Sequence, residues 1–162
     1  MYLWDPETRG YEQKLERLPE TVRFRIAVGV LERTVSRFDP LIENAAAREF
    51  IEVCLLRCRA AIAAGLPLTP VPAGYSAELD VLLEDADETG VKGLLLGLSF
   101  CFAEEFETQA AKNTYAILSY CYEADLQRSC TDPIITLEYE RHSARCRDMI
   151  DYQKSLIDRA VA

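Results

Sequence analysis

The chain has 162 residues, of which 49% are hydrophobic and 28% charged. That is the size of one domain and the composition of a folded one, which argues against a disordered chain, and about 70% of the unfolded surface is buried at this length. A net charge of −9 argues against nucleic acid and anionic membrane as partners, since both attract basic proteins.

In chain order, the opening MYLWDPETRG has neither a basic start nor an apolar run, so no signal peptide is expected and the protein is expected in the cytoplasm. Trp4, the sole tryptophan, is expected to pack this arm onto the body. Apolar residues recur at helical spacing almost throughout, and strand-like alternation is missing. A short first helix is predicted over Tyr11–Leu18. Pro19 and Glu20 open a second, with Ala27, Val30, Leu31, Thr34, Val35 and Phe38 on one face. Glu32 and Arg33 are placed to tie its end to a neighbour by a salt bridge. In the FDP break, Asp39 reads as N-cap and Pro40 as the first residue of a third helix reaching about Ala64. Ile51, Cys54, Leu55, Cys58 and Ile62 face inward there.

AGLPLTPVPAGYS, residues 64–76, is the one clear loop, and its three prolines make it a fixed crossover. Ser76 reads as the cap of a fourth helix carrying Leu79, Leu82 and Leu83 and ended by Gly90. A fifth, through Leu94, Leu95, Leu98, Cys101 and Phe102, is expected to reach about Glu107. Its apolar stretch GLLLGLSFCFA spans eleven residues, too short to cross a bilayer. Thr108 reads as the cap of a sixth helix presenting Ala111, Tyr115, Leu118, Tyr122 and Leu126. TDP repeats the FDP device, with Asp132 capping and Pro133 starting a final helix. The predicted fold class is all-α: one domain, a compact bundle of six or seven helices.

The charge is concentrated. Residues 76–107 hold nine acids (Glu78, Asp80, Glu84, Asp85, Asp87, Glu88, Glu104, Glu105 and Glu107) against Lys92 alone, so −8 of the net −9 lies in one fifth of the chain. Such a field speeds association with a basic partner. Within it, EDADETGVKGLLLG begins like a calcium loop, with Asp85, Asp87, Thr89 and Gly90 at the positions of an EF-hand's first ligands and turn glycine. Position twelve, however, is Leu96 in place of the closing glutamate, and position eight is Lys92. The acids read instead as the solvated end of the fourth helix, kept there against the helix dipole.

The only histidine, His142, has Glu138 four residues before it and Cys146 four after. On one helix these share a face, and their groups are zinc-ligand types. His142 also falls on the apolar stripe Ile135, Tyr139, His142, Cys146, Met149 and Leu156, where a histidine reads as a hydrogen-bonded core or rim residue. HExxH is absent, and Tyr139 occupies the place of a ferritin-like glutamate, so no metal or cofactor is expected. Cys54 and Cys58 form a C-x3-C pair read as buried packing, and all six cysteines as reduced thiols. FAEEFE pairs Glu104, Glu105 and Glu107 without a partner at fixed spacing. With no G-x-S-x-G, P-loop or G-x-G-x-x-G, no enzymatic activity is expected.

The segment LERLPETVRFRIAVGVLERTVSRF, with Leu15, Glu16, Arg17, Leu18, Glu32, Arg33 and Phe38, resembles the opening of the YjaG-like family of bacterial helical domains. The Asp132-Pro133 start of the last helix, followed by Glu138 and Glu140, is similar to that family's end. The resemblance implies an all-α fold and no established chemistry. Small acidic helical proteins of this kind also occur among candidate immunity proteins that neutralise secreted toxins.

The leading expectation is therefore a non-enzymatic protein-binding module, an immunity protein in its specific form. Asp80, Glu84, Asp85, Asp87 and Glu88 would steer it to a basic, toxin-like partner, and neighbours such as Tyr75 would pack against that partner. The alternative is a helical-bundle enzyme or a small-ligand or metal-binding protein with a pocket lined by Glu138, Tyr139, His142 and Cys146. A homodimeric structural protein, resting on exposed apolar surface, is a third reading.

Overall fold

The structure, a computed structural model, describes residues 1–103 and 107–162. In chain order its helices are α1 (Trp4–Glu7), α2 (Tyr11–Glu16), α3 (Glu20–Arg37), α4 (Ala45–Ala63), α5 (Tyr75–Asp85), α6 (Val91–Ser99), α7 (Ala111–Ser129), α8 (Leu137–His142) and α9 (Ala144–Val161). Helix accounts for 69% and there is no strand among the described residues, so the chain is a single all-helical domain with six helices of substantial length. No helix among the described residues is long and apolar enough to cross a membrane.

Helix α7 is the axis. Ile117, Leu118, Cys121, Tyr122, Ala124, Asp125 and Leu126 are all buried, which leaves the helix enclosed by α3 and α6 and, on the other sides, by α2 and α9. A helix buried nearly all round carries polar groups inside, and each needs a partner. Asp125 receives a two-pronged hydrogen bond from the Arg145 guanidinium, Nε at 2.9 Å and Nη2 at 2.6 Å. The Leu118 carbonyl accepts from Gln153 Nε2 at 3.0 Å. Tyr122 donates its hydroxyl to Glu140 at 2.7 Å.

Helix α6 approaches α7 through glycine. A Cβ on Gly93 would stand 3.4 Å from the Ala124 Cβ, and one on Gly97 would stand 3.3 Å from the Tyr120 Cβ. At Gly90 it would stand 2.5 Å from the Ala124 carbonyl oxygen, and that residue also has φ of 82°, which only glycine adopts freely. The small residues of GVKGLLLG therefore form a flush seam between two helices.

The N-terminal arm is fastened as the lone tryptophan led us to expect. Trp4 is buried, donates Nε1 to Gln153 Oε1 at 2.7 Å and packs its ring 4.6 Å from that of Tyr115. Leu3 N donates to the buried Glu140 carboxylate at 2.9 Å. Glu32 pairs with Arg59 of α4 and Arg33 with Asp148 of α9 at 3.1 Å, so the LER segment ties α3 to two neighbours. The proline loop is clipped to the end of α6, because Thr69 N donates to Cys101 O at 2.8 Å and Ala103 N to Thr69 O at 3.0 Å.

Several helix ends differ from the sequence reading. Asp39 and Pro40 do not open α4. Residues 38–44 are non-helical, the Asp39–Pro40 peptide is cis, and Asn44 is the cap, its Oδ1 accepting from Ala47 N at 2.9 Å. Arg128 explains this, since its guanidinium binds the Pro40 and Leu41 carbonyls that a helix would have taken up. Ser76 lies inside α5, which follows Gly74 at φ 78°. Gly90 opens α6, whereas α5 has already stopped at Asp85. Helix α6 ends at Ser99, leaving Cys101 and Phe102 buried beyond it, and Ala110 in place of Thr108 precedes α7. Of the rest of the predicted fifth helix, Glu104 and Glu105 lie outside the described residues, and Glu107, its predicted end, is not helical. Asp132 and Pro133 do not start a helix either. The single final helix is two, capped by the hydroxyls of Thr136 and Ser143.

Gly90→Ala should lower stability by about 2–4 kcal/mol, through both strain and overlap with Ala124. Gly29→Ala, in mid-helix with open space about its Cβ, should raise it by about 0.5–1 kcal/mol. Urea titration of the two variants against the parent checks both signs.

Candidate functional site

Helix α5 has one buried side and one charged side. Tyr75, Leu79 and Leu82 face the core, and the Tyr75 ring stacks between Phe50 at 5.8 Å and Phe102 at 4.4 Å between centroids. Tyr75 is therefore a support for the helix and not, as the sequence suggested, a contact residue. The opposite side exposes Glu78, Asp80, Glu84 and Asp85 around Val81, itself 56% exposed. Asp87 is exposed in the turn that follows. None of these five acids makes an ion pair among the described residues. The helix thus presents an uncompensated negative face with an apolar centre.

Glu88 separates from that set. Its carboxylate accepts from the backbone N–H groups of Glu43, at 3.0 Å, and Asn44, and from Arg128 Nη1 at 3.1 Å. The Arg128 side chain is only 5% exposed, and it also donates to the carbonyls of Pro40, Leu41 and Thr89. Together the two residues clamp the 38–44 segment and the α5–α6 turn to the last turn of α7. A cation there also suits the helix dipole. Burial alone would raise the Glu88 carboxyl, but the two N–H donors and Arg128 outweigh it and hold the group below its usual value. Sequence reading placed Glu88 with the partner-binding acids and missed Arg128. The one local signal was a basic residue closing a long helix.

The alternative pocket is not assembled as the sequence implied. Ser143, with φ −80° and ψ 113°, breaks the helix between His142 and Cys146, so their four-residue spacing no longer puts them on one face. Glu138 and His142 are exposed, Tyr139 is half-buried and Cys146 is buried. His142 donates Nδ1–H to the Glu138 carbonyl at 2.8 Å, so it closes its own helix end. The carboxylate turned inward on α8 is Glu140, two residues from the predicted position. It is 1% exposed and held by Leu3 N and Tyr122. That hydrogen bond, after burial, drives the Tyr122 hydroxyl well above its ordinary value.

The thiols behave as interior groups. Five of the six cysteines are buried, and burial pushes Cys54 and Cys121 up to about 12, which leaves them without nucleophilic thiolate near neutrality. Cys58 accepts a hydrogen bond from Thr69 Oγ1 at 3.2 Å. Among the described residues no group of three or more His, Cys, Asp or Glu side chains is placed to hold a metal ion. A cleft of about 170 Å³ beside α5 is lined by Glu49, Phe50, Val53, Cys54, Arg57 and Glu78 together with the proline loop. That is below the ~300–1,000 Å³ usual for small-molecule pockets.

Comparison with protein-family models, with curated proteins and with solved structures finds no match to this chain, and the functional reading rests on the geometry.

The clamp makes a pH prediction. A carboxyl depressed in the folded state contributes stability that is present above its unfolded value and lost as pH falls through its folded value. Glu88 has this sign. So do Asp148, held down first by Arg37, and Asp158, held down first by Lys14. Stability should therefore decline between about pH 5 and pH 2. Glu88→Gln should cost about 1–3 kcal/mol at pH 7, and its difference from the parent should shrink toward pH 3. Urea midpoints across that range check it. An equal loss at pH 7 and pH 3 would remove the clamp's charge from the account.

Proposed function

We propose that the chain is a non-catalytic protein-binding module whose acidic face on α5 and the following turn receives a basic protein surface. The observation that carries this is the division of labour among the acids. Glu88 is consumed by the clamp, while Glu78, Asp80, Glu84, Asp85 and Asp87 are exposed without an ion-pair partner among the described residues. Acids near the end of a helix oppose its dipole by about 0.3–1 kcal/mol each, a cost that binding a cation-rich surface offsets. Exposed Val81 at the centre supplies the apolar anchor that a purely electrostatic contact lacks.

In its specific form the module is an immunity-type protein that occludes the basic active site of a toxin, such as a nuclease. The charge pattern fits that role by its sign and its concentration. Exposed charges of this kind govern association rate and partner choice more than final affinity. The rigid base under α5, formed by Tyr75 between two other rings, keeps the face preformed, which limits the ordering cost of binding.

The test is capture from the native cytoplasm with the wild-type chain and with Glu84→Lys, Asp85→Lys and Asp87→Lys combined, leaving Glu88 intact because it is structural. The wild type should retain a basic protein near stoichiometry, and the variant should bind it about 10- to 100-fold more slowly. A partner kept equally by both would move the site off α5. Recovery of no partner by the wild type would overturn the proposal.

A further inference from the structure

Helix α4 carries a second unpartnered face, of a different chemical kind. The helix packs against α3 and α6, with Phe50, Ile51, Cys54, Leu55 and Cys58 turned inward. On its outer side Ala46, Glu49, Val53, Leu56, Ala60 and Ala63 are all exposed. They follow one another at alternating intervals of three and four residues, the spacing of a seam that meets another helix. Leu56 is 71% exposed and Val53 44%. Small alanines on either side of them leave room for a second backbone to come close. The ridge is flanked by two shallow grooves. One, of about 330 Å³, is lined by Glu32, Glu52, Leu56 and Arg59. The other, of about 280 Å³, runs between Arg57, Ala60, Leu66 and Pro70. A ridge between grooves is the shape by which helices interlock.

We propose that this face binds a second copy of the chain, with the two α4 helices antiparallel across a two-fold axis between Val53 and Leu56. The charges select that occupant. The exposed acids Glu49 and Glu52 lie in the N-terminal half of the stripe and the exposed Arg57 in the C-terminal half, while the other exposed bases of α4 are engaged within the chain, Arg48 with the Ile42 carbonyl and Arg59 with Glu32. An antiparallel two-fold brings Glu49 toward the partner's Arg57. A parallel pairing would set like charges against each other. The stripe therefore complements itself and is balanced in sign, whereas the α5 face is uniformly acidic and repels its own kind. An isologous contact of this sort is the commonest symmetry of soluble oligomers. One helix of 19 residues is about 28 Å long, so the interface falls below the ~800 Å² per partner of a standard complex, and the dimer should be of micromolar strength. The surface adjoins the acidic face at the cleft that Glu49, Val53 and Arg57 share with Glu78, but this inference does not rest on that face binding a partner.

Sedimentation equilibrium of the full chain, at concentrations up to about 100 µM, provides the test. The wild type should be a concentration-dependent dimer, and Leu56→Asp should be monomeric with an unchanged helical circular-dichroism spectrum, since Leu56 is exposed. Glu49→Arg alone and Arg57→Glu alone should each weaken the dimer about tenfold or more, and the two together should restore it. A wild type that stays monomeric up to that concentration, or a dimer indifferent to Leu56→Asp, would overturn the proposal. Failure of the double exchange to restore association would overturn the antiparallel register.

Discussion

The approach of α6 to α7 sets the geometry from which the rest follows. Two helices lie flush only where neither presents a side chain to the other. Gly90, Gly93 and Gly97 supply that bare edge against Tyr120 and Ala124. Because Gly90 is pinned beneath the Ala124 carbonyl, the turn before it has a fixed position. Glu88 is thereby delivered to Arg128 at the end of α7, and the pair then holds the segment leading into α4. The start of α4 and the end of α5 are both anchored, at one remove, on a helix seam that has no charge in it.

The interior polar groups extend the same logic on the other side of α7. A carboxylate inside a protein is tolerated when its oxygens are met by donors, and it costs several kcal/mol when they are not. Asp125 is met by Arg145, which also binds the Arg37 carbonyl and so locks α3, α7 and α9 together. Glu140 is met by a backbone N–H from the N-terminal arm and by the Tyr122 hydroxyl. Buried networks of this kind specify one arrangement of helices more than they add stability. Here they fix how the arm, α8 and α9 close over the central helix.

Much of the fold was legible because apolar spacing is a local property. The inward faces of α3, α4 and α7 follow from period alone, as does the identity of the loop between α4 and α5. Helix ends were less legible, because Asp39-Pro40 and Asp132-Pro133 have the composition of caps, yet the chain around Pro40 is claimed by Arg128, 88 residues away. The acidic face was visible as composition. What the sequence could not show was that Glu88 differs from its neighbours, since its partner stands 40 residues further on. His142 misled for a related reason. Its spacing to Cys146 assumed a continuous helix, and the Ser143 hydroxyl caps a new one between them. The exposed seam on α4 was hidden as well, because no pattern within one helix says which of its faces the fold will cover.

The proposed function requires that charge on the α5 face draws the partner in, while close packing around Val81 holds it. The measurement that tests this most directly is the association and dissociation rate of the wild-type chain with its captured partner, followed by stopped flow from about 20 to about 300 mM salt. Steering predicts that the association rate falls about tenfold or more over that range while the dissociation rate changes little. An association rate that stays level as the charges are screened would contradict the claim and leave the acidic face as a solvated surface.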